Sequence, residues 1–144
     1  MDNFRKRQTY YGFVNLMDGK FQVYEYERGN GIYTVDFLKK VMATFKGKQI
    51  WMLWDGATYH KGKEVKDYLA QLNEGLEEKD WKIHLMEFEK NAPKQNPVED
   101  IWLQGKNFLR RNFYQFTSFA QVRKGFREFL DNKIFHFKKF SWYF

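Results

Sequence analysis

Apolar positions in the first third of the chain recur at first every second residue, as in strands, and then with the period of a helix. RQTYYGFVNL and FQVYEYE alternate and are rich in aromatic and β-branched residues, with the Asp-Gly turn of MDGK between them. This pattern is typical of a β-hairpin. After the loop RGNGIYT, the segment TVDFLKKVMATFKG is periodic like a helix, with Gly47 as its stop. Its predicted buried face consists of Phe37, Leu38, Val41, Met42 and Phe45.

The middle of the chain alternates strands with a helix. KQIWMLWD is continuously apolar from position 50 to 54, which favours a parallel strand covered on both faces. WKIHLMEF is predicted to be a second strand, and NAPKQ a loop after it. Between the strands, KGKEVKDYLAQLN predicts an amphipathic helix with an apolar face of Val65, Tyr68, Leu69 and Leu72.

Two helices are expected at the end of the chain. NPVEDIWLQGKNFLRRNF has Asn96 as a good N-cap, Pro97 at the first helical position and Glu99 in the first turn. SFAQVRKGFREFLDN predicts a helix that buries Phe119, Val122, Phe126 and Phe129. Alternation of helices and strands after a hairpin predicts an α/β fold with a mixed sheet and flanking helices, in a single domain over residues 1–144.

Charge and composition narrow the function classes. The 144 residues include 25 Lys and Arg against 18 Asp and Glu, a formal charge of +7, and no cysteine. The excess attracts polyanions such as nucleic acid, but it also fits a soluble basic protein without such a ligand. Disulfides and thiolate zinc sites are excluded. Without a signal-peptide pattern or an apolar run of eighteen residues, we expect no membrane partner and a cytoplasmic location, or a nuclear one in a eukaryote.

Two acids stand out by position. Asp55 ends the apolar strand, and the carboxyl ends of parallel strands are where such folds form sites. Glu99 begins a helix, and we expect both carboxylates at one edge of the sheet. Hard oxygen ligands suit Mg²⁺ or Mn²⁺. The alternatives are that Asp55 is a turn or cap residue, that Glu99 is half of a capping box, and that His60 is a surface histidine.

Two motifs resemble those of one enzyme family. APKQNPVEDIW, residues 92–102, resembles the third catalytic motif of DDE transposases of the mariner-like superfamily, including its bacterial insertion-sequence branch. WDGATYH is similar to the family's second motif, with Gly56 where Asn is usual, and Gln95 replaces a usual leucine. The resemblance covers roughly residues 8–112. The matching positions are Asp55, Ala57, His60, Ala92, Pro93, Asn96, Pro97, Val98, Glu99 and Trp102.

The resemblance implies a ribonuclease-H-like fold and metal-dependent DNA cleavage and strand transfer. Asp55 and Glu99 would be the second and third catalytic acids and would bind Mg²⁺ or Mn²⁺. Asn96 would set the start of the helix, Trp102 would pack the helix on the sheet, and His60 would support the site. The partners would be DNA, as transposon ends and target.

One family feature is missing. The family's first acid precedes the hairpin on the central strand, and MDNFRKRQ does not resemble that strand. We therefore expect a C-terminal part that lacks the first Asp and the central strand and is inactive alone. Its expected partner is a second copy or an N-terminal transposase segment. The alternatives are a non-catalytic DNA-binding or relict transposase fragment and, from another class, a glycan hydrolase with a carboxylate pair.

Overall fold

The structure, a computed structural model, describes residues 7–54, 62–87 and 96–137. The predicted order of elements is confirmed. The strands and helices are β1 (Thr9–Val14), β2 (Phe21–Tyr26), α1 (Gly31–Thr44), β3 (Ile50–Trp54), α2 (Lys63–Leu72), β4 (Ile83–Glu87), α3 (Pro97–Asn112) and α4 (Phe119–Leu130). Two short 3₁₀ turns, Glu78–Asp80 and Phe113–Gln115, were not predicted. The α/β fold class is confirmed, and among the described helices none has the length and apolar content needed to span a bilayer.

The contacts divide the chain into two compact units. The first contains β1, β2, α3 and α4, and the second contains α1, β3, α2 and β4. Within the described residues, β1 pairs only with β2 and β3 only with β4, so that each unit holds a two-stranded sheet. The single-domain assignment stays a prediction.

The first unit is built on the hairpin. β1 and β2 pair antiparallel from Thr9 opposite Tyr26 to Val14 opposite Phe21. Gly19 has φ +76° in the connecting turn, a conformation that favours glycine. Helices α3 and α4 pack on this hairpin. The buried core consists of Phe21, Val23, Ile101, Phe126, Leu130 and Phe135.

The second unit packs two helices on a parallel strand pair. β3 and β4 run parallel, as predicted, with Ile50 opposite Ile83. The side of β3 that carries Trp54 packs with Leu38 of α1 and Val65 of α2. Because side chains alternate along a strand, Trp51 points the other way. Trp51 is 61% exposed, so the expectation that β3 is covered on both faces was wrong.

The N-terminus of α1 is the clearest boundary error. The sequence predicted a loop up to Tyr33, but the helix begins at Gly31. Asn30 is the reason, because its side-chain oxygen accepts a hydrogen bond from Tyr33 N (2.8 Å) and its carbonyl accepts one from Thr34 N (2.9 Å). An asparagine with such bonds is an effective N-cap.

Candidate functional site

The first turn of α3 holds Glu99 in a fixed direction. Asn96 has extended backbone geometry, and its Oδ1 accepts a hydrogen bond from Val98 N at 3.0 Å. The carbonyl of Asn96 accepts a second bond from Glu99 N at 3.1 Å. Pro97 fills the first helical position, where a missing N–H costs nothing. The predicted N-cap and helix start are therefore confirmed, and Glu99 is in the first turn and exposed.

The same helix is anchored to the hairpin just after Glu99. Ile101 is fully buried, and Trp102 lies one turn after Glu99. The Trp102 ring meets the Phe21 ring edge-on, with centroids 5.3 Å apart, and stacks on Phe126 at 6.1 Å. A Cβ on Gly12 would lie 3.0 Å from Trp102 Cη2, so the missing side chain of Gly12 allows this close approach. These contacts restrict the rotation of α3 about its own axis.

One face of α3 leads from Glu99 towards cationic residues. A helix turns by about 100° per residue, so positions 4, 7 and 11 residues further on lie within about 40° of Glu99. These positions are Leu103, Lys106 and Arg110, and all three are exposed. The solvent-facing stripe of α3 therefore begins with a carboxylate and continues with two cations.

The other predicted site residues are only partly observable. β3 ends at Trp54, which is buried between α1 and α2, and Asp55 is the next residue. Asp55 and His60 themselves lie outside the described residues. Their pairing with Glu99, and the supporting roles of His60, Asn96 and Trp102, stay predictions.

The donor chemistry at Glu99 fits a divalent metal. Its carboxylate is exposed and offers hard oxygen ligands, which Mg²⁺ and Mn²⁺ prefer. Asp100 follows, about 100° around the helix, and is partly buried. Within residues 7–54, 62–87 and 96–137, no group of three or more His, Cys, Asp or Glu could hold a metal ion.

A half-buried tyrosine, Tyr10, packs against the anchor of α3. The ring of Tyr10 lies 4.8 Å from Phe126 and 6.5 Å from Trp102, centroid to centroid. Burial, and next the negative charge of Glu25, raise the pKa of Tyr10 to about 12. The raised pKa shows that the folded chain disfavours the ionised phenol.

The other end of α3 combines basic and aromatic residues in the segment FLRRNF. From the sequence, this segment fits either contact with nucleic acid or the end of an amphipathic helix, which is the commoner case. The structure leaves Phe113 and Tyr114 69% and 80% exposed. It also stacks Phe108 of α3 on Phe129 of α4, and burial, and next the charge of Arg111, lower the pKa of Lys133. No sequence signal pairs two residues that are so distant along the chain.

Comparison with known proteins gives the family. No curated protein matches the chain. Residues 2–123 match the family described as DDE superfamily endonuclease, and this covers most of the 144 residues. The resemblance to DDE enzymes is confirmed, whereas the mariner-like branch and the missing first acid stay predictions. Endonucleases of this superfamily act on DNA and generally use divalent metal ions. The match agrees with the α/β fold and with the geometry of α3, and the chain belongs to the DDE superfamily endonucleases.

Proposed function

We propose that the chain supplies the second and third acids, Asp55 and Glu99, of a mariner-like transposase centre that cleaves and transfers DNA strands. A separate segment supplies the first acid, and the chain alone is inactive. The observation that carries the proposal is the presentation of Glu99, which is exposed on the first turn of a capped and anchored helix. Membership of the DDE superfamily endonucleases supports the reaction class.

In this proposal each predicted site residue has a separate role. Asp55 and Glu99 hold Mg²⁺ or Mn²⁺ through carboxylate oxygens. When bound, such ions neutralise phosphate charge and make water or a 3′-hydroxyl a better nucleophile. Asn96 fixes the first turn of α3 and Trp102 fixes its rotation, so both act as positioning residues for Glu99. His60 supports the site from the segment after Asp55.

The exposed stripe of α3 suits a DNA backbone. Lys106 lies seven residues after Glu99, which is about 10 Å along the helix axis, and Arg110 lies about 6 Å further on. Both side chains are exposed and face the same side as Glu99. Cations at this spacing can contact successive phosphates of a strand that passes the carboxylate. The net charge of +7 adds long-range attraction.

The test is nicking of duplex DNA with Mn²⁺, by the full chain alone and with an added N-terminal transposase segment that ends a strand in Asp. We expect nicking only in the mixture, and its loss in Asp55→Asn and Glu99→Gln. Glu128→Gln is the control, because it removes an exposed carboxylate from α4 and should nick normally. Nicking that survives both site substitutions would overturn the proposal. Salt-dependent DNA binding without nicking in any mixture would instead identify a non-catalytic DNA-binding or relict fragment.

A further inference from the structure

Two adjacent aromatic rings face solvent at the end of α3. Phe113 and Tyr114 occupy the 3₁₀ turn that follows the helix and are 69% and 80% exposed. The Tyr114 hydroxyl accepts a hydrogen bond from Gln115 Nε2 at 3.1 Å, and the same Nε2 donates to Asn112 Oδ1 at 3.3 Å. These bonds hold the Tyr114 ring out from the surface. Adjacent exposed apolar groups with polar residues around them are typical of interaction sites.

Two cations directly precede these rings along the chain, and a third lies in the segment after α4. Arg110 and Arg111 are exposed in the last turn of α3. The Phe108 ring stacks on Phe129 of α4 at 4.4 Å, which brings the end of α3 beside the segment that carries Lys133. Lys133 Nζ lies 3.6 Å above the centre of the Phe129 ring.

The backbone at Lys133 is fixed. Its carbonyl accepts a hydrogen bond from Phe21 N at 2.9 Å, and its N–H donates to Leu130 O at 3.2 Å. The Lys133 ammonium lies over the Phe129 ring, and burial, and next the positive charge of Arg111, lower the pKa of Lys133. In the described part of the chain, no carboxylate forms an ion pair with Arg110, Arg111 or Lys133. A fixed group of like charges without a counter-ion favours an anionic ligand.

We propose that this surface, the α3 end, binds single-stranded DNA. Its cations hold phosphates and its two rings stack on unpaired bases. The α3 end consists of Arg110, Arg111, Phe113, Tyr114 and Lys133.

Single-stranded DNA accounts for both chemical features of the surface. The helix dipole explains why arginines are favourable in the last turn, but it does not explain two exposed rings beside them. Bases within a duplex are already stacked on each other, whereas unpaired bases stack on aromatic side chains. Arg111 lies twelve residues after Glu99, which is about 18 Å along the helix. At about 3.4 Å per nucleotide this is about five nucleotides. The role of the α3 end is to hold a strand unpaired near the cleavage point, and this part of the inference rests on the proposed function.

The test is fluorescence anisotropy of the full chain with a short oligodeoxyadenylate and with its duplex, in the presence of a metal chelator. The double variant Phe113→Ser, Tyr114→Ser should bind the single strand at least about thirtyfold more weakly, because each of the two lost stacking contacts weakens binding at least about fivefold. Its affinity for the duplex should change less than about twofold. Arg110→Gln with Arg111→Gln should lower the slope of log affinity against log salt by about 1.4 on the single strand, which corresponds to two phosphates.

Matched controls separate the surface from bulk charge and exposed apolar area. Lys46→Gln with Lys48→Gln removes two exposed charges in the second unit, and Ile32→Ser removes another exposed apolar side chain. Both should bind the single strand like the parent chain. Equal losses in the lysine and arginine variants, or equal losses on single strand and duplex in the ring variant, would overturn the inference. A ring variant that dissociates a dimer and binds DNA normally would also overturn it, in favour of a protein interface.

The chelator separates this inference from the proposed function. Binding that depends on the rings but is not accompanied by nicking in any mixture supports the α3 end and refutes the catalytic proposal. If nicking requires Glu99 and the Phe113→Ser, Tyr114→Ser variant binds the single strand like the parent chain, the catalytic proposal is supported and the inference about the α3 end is refuted.

Discussion

Replacing Asn96 by alanine tests whether the cap of α3 positions Glu99. The substitution removes the oxygen that accepts the hydrogen bond from Val98 N at 3.0 Å. Loss of such a cap costs about 1 kcal/mol of unfolding free energy. For a chain of this length the melting temperature should fall by about 4 °C. Asn96→Asp keeps an acceptor and a favourable charge at the helix start, so it should melt like the parent chain.

Stability alone does not show that the cap serves the site, and α4 offers a matched control. Ser118 caps α4 in the same unit, where its Oγ accepts a hydrogen bond from Gln121 N at 3.2 Å. Ser118→Ala should therefore lose a similar stability. Only Asn96→Ala loosens the turn that carries Glu99, so only this variant should weaken Mn²⁺ binding and nicking by the reconstituted mixture.

The measurements are thermal unfolding by circular dichroism and titration with Mn²⁺ by calorimetry, both well below the melting temperature. The reasoning is refuted if the two alanine variants bind Mn²⁺ equally well at equal stability loss. It is also refuted if Asn96→Asp melts as early as Asn96→Ala, because the cap would then not depend on the side-chain acceptor.

Two further predictions concern the core of the first unit. Gly105→Ala would put a Cβ 2.6 Å from Phe126 Cε1 and 2.9 Å from Leu130 Cδ1. Because overpacking costs about 1–3 kcal/mol and the gain in helix propensity is about 1 kcal/mol, the free energy of unfolding should fall. A urea titration measures this change, and a more stable variant would contradict the packing. The pKa of Tyr10 is raised to about 12 from 10.0. Between pH 10 and about 12 the folded chain therefore keeps a proton that the unfolded chain releases. The stability that comes from this difference is complete below pH 10 and is lost as the pH rises to about 12. Tyr10→Phe should flatten this loss in unfolding curves recorded across that range, and an equally steep fall would contradict it.

Local chemistry made much of the fold predictable. The Asp-Gly turn, the continuous apolar run of β3 and the Asn-Pro start of α3 each act within a few residues, and the structure has the predicted element at each place. The start of α1 was missed although its signal was also local. GNG suggested a loop, and the capping bonds of Asn30 were not considered.

Features that depend on long-range contacts were not predictable. Trp51 lies in an apolar run, and the pattern of that run predicts burial for Trp51 as it does for its neighbours. Its exposure follows from the fact that α1 and α2 pack on the opposite face of β3. Phe108 of α3 stacks on Phe129 of α4, and this contact joins two helices. Nothing in the local sequence of either residue predicts it.

The third motif of the chain combines positions with different physical requirements. Asn96 and Trp102 serve the fold directly, through a cap and through ring contacts in the hairpin core. Glu99 is exposed, and within the residues that the structure describes its one structural benefit is the helix dipole, worth about 0.3–1 kcal/mol. A chain selected only for folding would need Asn96 and Trp102 but could replace Glu99 at little cost. The carboxylate of Glu99 is therefore the feature of α3 that indicates a chemical role and not a structural one. Because Glu99→Gln should unfold within about 1 kcal/mol of the parent chain, a loss of nicking in that variant is attributable to the site and not to the fold.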